Sequence, residues 1–201
     1  MTEQLFEHDK KLIDNGYKYI CGIDEAGRGP LAGPVSVCAV IMPYDVMIDG
    51  VNDSKKVSPK KRDKLFDEIR DKAISYKCVM LDNNVIDEIN ILEATKKAMR
   101  EAVMGLSVEP DIVLIDAVKL ALPYKTQPII KGDATSYAIA CASIIAKVSR
   151  DRVMDEYDKE YPEYGFSKHK GYGTKAHTDA IRTYGATPIH RKTFIRNFTN
   201  E

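Results

Sequence analysis

The chain has 201 residues, of which 44% are hydrophobic and 30% are charged, a composition typical of one packed domain with a polar surface. Its 30 Lys and Arg residues balance its 30 Asp and Glu residues, so the net charge indicates no particular class of partner. The N-terminus is polar, and the longest apolar run, VSVCAVIM at 35–42, is too short to span a bilayer. The four cysteines form no CxxC pair, which favours reduced core thiols over disulfides or a zinc site. We therefore expect a soluble cytoplasmic protein.

The hydrophobic pattern predicts helices alternating with strands. In chain order, the predicted elements are a helix at 3–15, strands at 17–24 and 35–42, a helix at 58–72, a strand at 74–81, a helix at 90–106, a strand at 111–116, a short strand at 128–131, and helices at 135–161 and 174–184. Their limits follow from breakers and caps, such as Gly16 after the first helix and Pro162 after the long one. This order predicts an α/β fold with one sheet flanked by helices.

The stretch GIDEAGRGPLAGP at 22–34 is the most informative motif. A predicted strand brings two adjacent carboxylates, Asp24 and Glu25, directly into a glycine-rich turn. Acidic side chains beside flexible backbone suit a site for hard cations and a polyanion. Successive side chains on a strand point to opposite faces, so we expect Asp24 to face such a site more directly than Glu25 does.

The same turn satisfies the dinucleotide-binding pattern, with glycines at 27 and 29 and alanine at 32. That motif holds a pyrophosphate only where it opens a helix. Here a strand-like run follows it, and the sequence contains no G-x-x-x-x-G-K-[ST] motif. Both nucleotide-cradle interpretations therefore fail on context.

Two further acids stand near the ends of predicted strands. Asp116 closes DIVLID, and Asp133 lies in KGDA just before the long helix. Each alone is typical of a turn or a helix cap, but together with Asp24 they would gather at one edge of the sheet. Clustered carboxylates repel each other unless cations neutralise them, and ligand sets made only of oxygen favour Mg²⁺ or Mn²⁺. Two such ions would suit the displacement of a phosphodiester.

Basic residues are concentrated in two regions. Residues 165–198 contain seven Lys or Arg against one acid, with aromatic residues such as Phe166, Tyr172 and Tyr184 between them, and a second group includes Lys55 and Lys56. Such runs are usually solvated faces, but this degree of segregation in a neutral chain also suits a track for phosphates. His169, His177 and His190 lack partners at metal-binding spacing, so we interpret them as structural or helper residues.

Taken together, these motifs closely resemble the bacterial ribonuclease HII family, the type 2 ribonucleases H. The resemblance is carried, in chain order, by GIDEAGRGPLAGPV (22–35), NDSKKVS (52–58), INILEAT (89–95), LIDA (114–117), KGDATS (131–136), ASIIAKVSRDR (142–152), YGFSKHKGYGT (164–174) and HRKTF (190–194). It covers nearly the whole chain from residue 17, so we divide the chain into a helical N-terminal segment at 1–16 and a catalytic domain at 17–201. One departure is that many members have LIDGN where this chain has LIDAVKL, with Ala117 after the third acid.

The resemblance implies an RNase H-like fold with a mixed central sheet and a helical C-terminal segment. It implies that two divalent cations, Mg²⁺ or Mn²⁺, are held by four catalytic acids, which match Asp24, Glu25, Asp116 and Asp133. The family's ribose-contacting turn matches Gly27-Arg28-Gly29, and its substrate-sensing tyrosine matches Tyr172. Basic positions that we assign to phosphate contacts match Lys55, Lys56, Lys147 and Arg150.

The implied activity is that of an endoribonuclease, which cuts the RNA of RNA–DNA hybrids and cuts 5′ of ribonucleotides embedded in DNA. We expect the enzyme to be a monomer. Two alternatives stay open at this stage. One is another nuclease or strand transferase of the same fold, which has no need of a ribose-reading turn, and the other is a nucleic-acid-binding module without catalysis, which has no need of intact acids.

Overall fold

The computed structural model describes residues 2–116 and 118–198. The strands are β1 (Ile20–Ala26), β2 (Val35–Ile41), β3 (Ser75–Leu81), β4 (Ile112–Asp116) and β5 (Lys125–Ile129). The helices are α1 (Thr2–Asp14), α2 (Pro59–Lys72), α3 (Asn83–Ile89), α4 (Ile91–Met104), α5 (Tyr137–Glu160), α6 (Phe166–His169), α7 (Lys175–Tyr184) and α8 (Lys192–Ile195). A single 3₁₀ turn, Gly132–Ala134, precedes α5. The fold is the predicted α/β arrangement, with helices at the C-terminal end of the described chain.

The five strands form one mixed sheet in the order β3-β2-β1-β4-β5. The β1 strand is antiparallel to β2 and parallel to β4, and β4 is parallel to β5. Ile23 pairs with Ile115, so Asp24 and Asp116, one residue further along, leave adjacent parallel strands at the same end. Pro128 lies in the edge strand β5, where a missing amide donor is tolerated. The register therefore brings two of the predicted acids to one edge.

Helices cover both faces of the sheet. The long helix α5 packs against β1 and β2 on one face, together with α1 and α2. On the other face, α4 packs against β2 and β3, with Ala98, Met99 and Ala102 fully buried. Gly22 lies at the closest approach of α5, since an added Cβ would stand 2.1 Å from the carbonyl carbon of Ala138. The sheet is thus held rigidly beneath the edge that carries the acids.

The N-terminal helix α1 is part of this packing. Leu5 and Phe6 lie in the same core cluster as α5 and α2, and Asp9 is fully buried. One carboxylate oxygen of Asp9 accepts hydrogen bonds from Tyr44 Oη, Ser136 Oγ and the amide of Ala138. Asp9 therefore binds the start of α5 from outside that helix. The domain boundary at residue 17 remains a prediction.

Most predicted elements are confirmed, with ends shifted by a few residues. The first predicted strand starts at Ile20 rather than Tyr17, and the long helix starts at Tyr137 because Ser136 caps it, accepting from the amide of Ile139. Helix α3 was not predicted; it is seven residues long, and Asn90 with a φ of 65° separates it from α4. The short helices α6 and α8 were missed as well. Among the described helices, none is both long and apolar enough to cross a membrane.

Candidate active site

The predicted acids lie around one edge of the sheet. Asp24 is near the end of β1, Glu25 follows it, and Asp116 ends β4. Asp133 lies in the 3₁₀ turn after β5, and the amide of Gly132 in that turn donates to Asp116 Oδ1 over 2.7 Å. Ala117, the departure from the family pattern, lies outside the described residues. The sheet's register therefore places Asp24 and Asp116 at the same end of neighbouring strands, and the turn that contains Asp133 adjoins Asp116.

Burial and mutual repulsion raise the pKa values of Asp24, Glu25 and Asp133. The pKa of Asp24 lies well above its ordinary value, mainly because the group is buried and also because the Glu25 charge is close. Burial also raises the pKa of Glu25, although Arg28, whose Nη1 lies 3.3 Å from Glu25 Oε1, opposes that shift. The charge of Asp116 acts on both groups in the same direction. Such a site is costly to ionise without a compensating cation.

A fifth acid, Asp53, belongs to this edge and was not predicted. Burial raises the pKa of Asp133, and the charge of the nearby Asp53 carboxyl raises it further. Asp53 was missed because it stands beside Lys55 and Lys56 and follows no predicted strand. Its Oδ1 accepts from the amide of Lys55, so it also shapes the lysine-bearing turn.

The residues at this edge fit a divalent cation by their chemistry. Glu25 Oε2 is a buried acceptor without a hydrogen-bond partner, and a bound cation would satisfy it. Within the described chain, however, no three Asp, Glu, His or Cys side chains are already arranged to hold an ion. Asp24 Oδ1 accepts from the amide of Glu25, and the Asp53 carboxyl lies close to Asp133.

The predicted ribose turn, Gly27-Arg28-Gly29, begins one residue after β1 ends, and Tyr172 faces it. A Cβ added at Gly29 would lie 3.7 Å from Tyr172 Cε1, so the ring lies close to the turn. Tyr172 is 45% exposed, which leaves its ring available to a ligand. The turn that contains Tyr172, residues 170–173 (the tyrosine turn), is joined to the strand-connecting loop by the hydrogen bond from Leu31 N to Gly171 O. The two predicted substrate-contacting features thus converge beside the acids.

Two buried arginines hold the backbone behind this site. Arg150 is 1% exposed and donates to the carbonyls of Ala32, Pro34 and Lys170. Its Nε would be 2.0 Å from a Cβ at Gly27, whose φ is +93°, so only glycine fits there. This placement does not fit the predicted phosphate contact of Arg150, because its guanidinium is enclosed and bonded to main-chain carbonyls. We assign Arg150 to the support of the loop instead.

The second arginine, Arg191, was not predicted to belong to the site. It is fully buried, and its guanidinium donates to the carbonyls of Gly27, Arg28 and Gly33. Burial lowers the pKa of Arg191 to about 9 and that of Arg150 to about 10, so both groups stay charged at neutral pH. The partners of Arg191 are more than 150 positions away in the sequence, which no local pattern indicates.

The three predicted lysines lie in different surroundings. Lys55 and Lys56 are exposed, and the charge of Lys55 lowers the pKa values of Glu25 and Asp133, so Lys55 is close to the acids. Lys56 Nζ is 3.8 Å from Asp53. Lys147 forms an ion pair of 2.7 Å with Asp151 and lines a surface cavity of about 410 Å³ beside α2. Their phosphate contacts remain predictions.

The chain is similar to known proteins in both sequence and fold. The family model described as ribonuclease HII matches residues 21–197. A ribonuclease HII of Caldicellulosiruptor bescii is 55% identical over 196 residues, which are 97% of this chain and 95% of that protein. The structure of the ribonuclease H2 from Pyrococcus horikoshii OT3 covers 90% of this chain and 97% of its own, with a TM-score of 0.75 and 28% identity. The structure of Bst-RNase HIII in complex with Mn²⁺ shares the fold at 18% identity and a TM-score of 0.62, covering 92% of this chain and 65% of that one. The chain therefore belongs to the ribonuclease HII family.

Proposed function

We propose that this chain is an endoribonuclease that hydrolyses the RNA strand of RNA–DNA hybrids and cuts on the 5′ side of ribonucleotides embedded in DNA. The products carry a 3′-OH and a 5′-phosphate. The observation that carries this proposal is the convergence of a glycine turn and the Tyr172 ring beside buried carboxylates. The turn and ring provide the means to recognise a ribose, and the acids provide the means to hydrolyse the adjacent phosphodiester.

Two divalent cations, Mg²⁺ or Mn²⁺, are part of the proposal. Asp24, Glu25, Asp116 and Asp133 would hold them, and the buried, unpartnered Glu25 Oε2 supports this assignment. When bound, such ions make a water molecule a stronger nucleophile and stabilise the negative charge on the leaving 3′ oxygen. The Mn²⁺ complex of a ribonuclease HIII with the same fold is consistent with this choice of ions.

The chain's own groups would then bind and orient the substrate. A ribose 2′-hydroxyl both donates and accepts a hydrogen bond, and glycines at 27 and 29 let main-chain groups approach it closely. Arg28, whose side chain is 43% exposed, would place the scissile phosphate. Lys55, Lys56 and Lys147 would bind flanking phosphates, which position a duplex without reading its sequence.

The physiological role that follows is the removal of ribonucleotides misincorporated into DNA, and of primer RNA. We infer that the enzyme acts as a monomer in the cytoplasm. The four cysteines are free, and three of them are buried, which supports a reducing compartment.

A panel of duplexes of one sequence tests the proposed activity. We expect the purified protein with Mg²⁺ or Mn²⁺ to cleave an RNA–DNA hybrid while leaving double-stranded DNA intact. Chelation with EDTA should stop cleavage, and added metal should restore it. Cleavage that persists in EDTA, or comparable cleavage of double-stranded DNA, would contradict the proposal.

A further inference from the structure

The segment Ile189–Arg191 runs behind both the ribose turn and the tyrosine turn. Its main chain is joined to the loop after the ribose turn by hydrogen bonds from Gly33 N to Ile189 O and from Arg191 N to Leu31 O. From this position, the Arg191 side chain donates to the carbonyls of Gly27 and Arg28. These carbonyls belong to the ribose turn itself, so Arg191 fixes the direction in which that turn presents its amides.

The neighbouring residue, His190, reaches the other turn through His177. The amide of Thr187 donates to His190 Nδ1 over 2.9 Å, and an amide cannot accept, so the proton of the neutral His190 ring is on Nε2. That proton is donated to His177 Nε2 over 3.0 Å, which leaves the His177 proton on Nδ1. His177 Nδ1 then donates to the carbonyl of Tyr172 over 3.0 Å. All three hydrogen bonds are therefore donated in the same direction, from Thr187 towards Tyr172.

Burial keeps this chain of bonds neutral. Both imidazoles are buried, and desolvation lowers the pKa of each to about 4; the charges of His169 on His177, and of His177 on His190, act in the same direction. His169 stacks on His177 with ring centroids 4.6 Å apart, and Phe166 contacts His177 edge-on. An added proton on His177 Nε2 would replace the donor–acceptor pair by two donors, and one on His190 Nδ1 would remove the acceptor of the Thr187 amide. At neutral pH the connection from Thr187 to Tyr172 is therefore intact.

Helix α3 anchors the same segment from behind. Asn83 Nδ2 donates to the carbonyls of Pro188 and His190, and Asp87 accepts from the amides of Lys192 and Thr193. The segment is therefore fixed on both sides of His190 and Arg191 by a helix that packs on the core. Because one anchored segment is bonded to both turns, the position of the ribose turn depends on that of the tyrosine turn.

We propose that His190 and Arg191 form a bracket that fixes the ribose turn relative to Tyr172, and that both are specificity-determining positioning residues. The inference deepens the proposed function and rests on it. Neither residue touches the reacting phosphate; Arg191 holds the turn at the cut, and His190 holds the tyrosine that contacts the neighbouring sugar. A ribose is then recognised only when the ribose turn and Tyr172 contact the substrate at the same time.

Amide hydrogen exchange tests the bracket without any substrate. The variants are Arg191→Lys, whose ammonium cannot replace a guanidinium fork bonded to three carbonyls, and His190→Leu, which removes the imidazole's polar edge. Each variant should speed exchange in both turns, while the amides of β1 and β4 keep the parent rate. Arg100→Lys, on the exposed side of α4 at the other face of the sheet, is the matched control and should change neither turn.

Two exchange results would overturn the bracket. In the first, each variant loosens only its own turn, which means that the two turns are held independently. In the second, β1 and β4 accelerate as much as the turns do in both variants, which means that the residues support the whole fold.

Kinetics on a DNA duplex with one ribonucleotide supply the second readout. Arg191→Lys should lower kcat by roughly 10²-fold, the cost of a small misplacement of reacting groups, with little change in KM. Its effect on kcat should not add to that of Tyr172→Ala, because each change disrupts the same relative placement of the ribose turn and Tyr172. Additive effects, or a loss confined to KM, would refute the bracket. A parent enzyme that does not cleave this substrate would refute the proposed function, while the exchange data would still decide the bracket.

Discussion

At the scale of single residues, the site contains buried carboxyl groups that repel one another when they are ionised. Asp24 is 6% exposed, and the charges of Glu25 and Asp116 act on it in the same direction as burial. A carboxyl whose pKa is raised by folding contributes stability below its unfolded pKa and loses that contribution as the pH rises through the folded value. The metal-free protein is therefore destabilised at neutral pH by the same groups that would bind the metal.

Replacing Asp24 separates the destabilisation caused by its buried charge from its proposed role as a metal ligand. We expect Asp24→Asn to abolish cleavage, and without metal to melt at or above the parent temperature at neutral pH, because one buried charge is gone. The difference in melting temperature should shrink as the pH falls through the raised pKa of Asp24, because the folded parent then holds this carboxyl protonated. Thermal denaturation in EDTA at several pH values measures this. Cleavage at the parent rate would remove Asp24 from the proposed metal ligands.

The Tyr172 side chain is the second residue-scale test. Aromatic stacking is worth about 1–3 kcal/mol by alanine substitution, so Tyr172→Ala should lower cleavage at a single embedded ribonucleotide by roughly one to two orders of magnitude. Tyr172→Phe should keep the stacking contribution and lose only the hydroxyl's. Tyr184→Ala, at another exposed tyrosine, is the control and should cleave like the parent. If both Tyr172 variants also match the parent, the tyrosine takes no part in recognising the sugar.

At the scale of secondary-structure elements, the N-terminal helix is joined to α5 by one buried carboxylate. Asp9 accepts three hydrogen bonds through Oδ2, and His8 Nδ1 lies 2.8 Å from Oδ1. Ser136, one of its donors, in turn caps α5. Because Asp133 lies in the turn just before this cap, α1 stabilises the end of α5 that adjoins the acids.

Removing the Asp9 carboxylate should therefore destabilise the fold. Asp9→Ala leaves buried donors without an acceptor, and we expect the free energy of unfolding to fall by about 3 kcal/mol. Asp14→Ala, at the exposed end of the same helix, should change it by no more than about 0.5 kcal/mol. Urea denaturation of both variants measures the difference. Equal stabilities would show that α1 is a loosely attached segment.

Sequence reasoning located the elements better than the contacts between them. The strands and the acids at their ends were predictable because apolar runs ending in Asp are local patterns. Helix α3 was not, since seven residues show too little periodicity. No local pattern distinguishes Asp9 from the other charged residues of α1, and Arg150 was matched to a phosphate contact whereas its guanidinium binds main-chain carbonyls of distant segments. Partners contributed by distant segments leave no local signature.

At the scale of the whole molecule, the neutral chain combines an acidic edge with basic segments around it. Calcium tests how strictly the acidic edge requires one coordination geometry of a bound ion. Ca²⁺ accepts six to eight oxygen ligands in loose geometry, whereas Mg²⁺ demands a near-octahedral shell. We expect Ca²⁺ to support binding of the duplex but little turnover, as measured by gel shift and cleavage in parallel. Full activity in Ca²⁺ alone would contradict a strictly aligned two-metal site.

Ribose recognition is tested by the position of the cut in a DNA duplex that contains one ribonucleotide. With Mg²⁺ or Mn²⁺ and an end-labelled strand, we expect a single cut on the 5′ side of the ribonucleotide, leaving a 3′-OH. A site built to bond a hydroxyl can reject the analogue lacking it by ~10⁴–10⁵, so the all-DNA duplex should remain intact under the same conditions. Cuts distributed along the duplex, or cleavage of the all-DNA strand at a similar rate, would contradict ribose recognition by Gly27-Arg28-Gly29 and Tyr172.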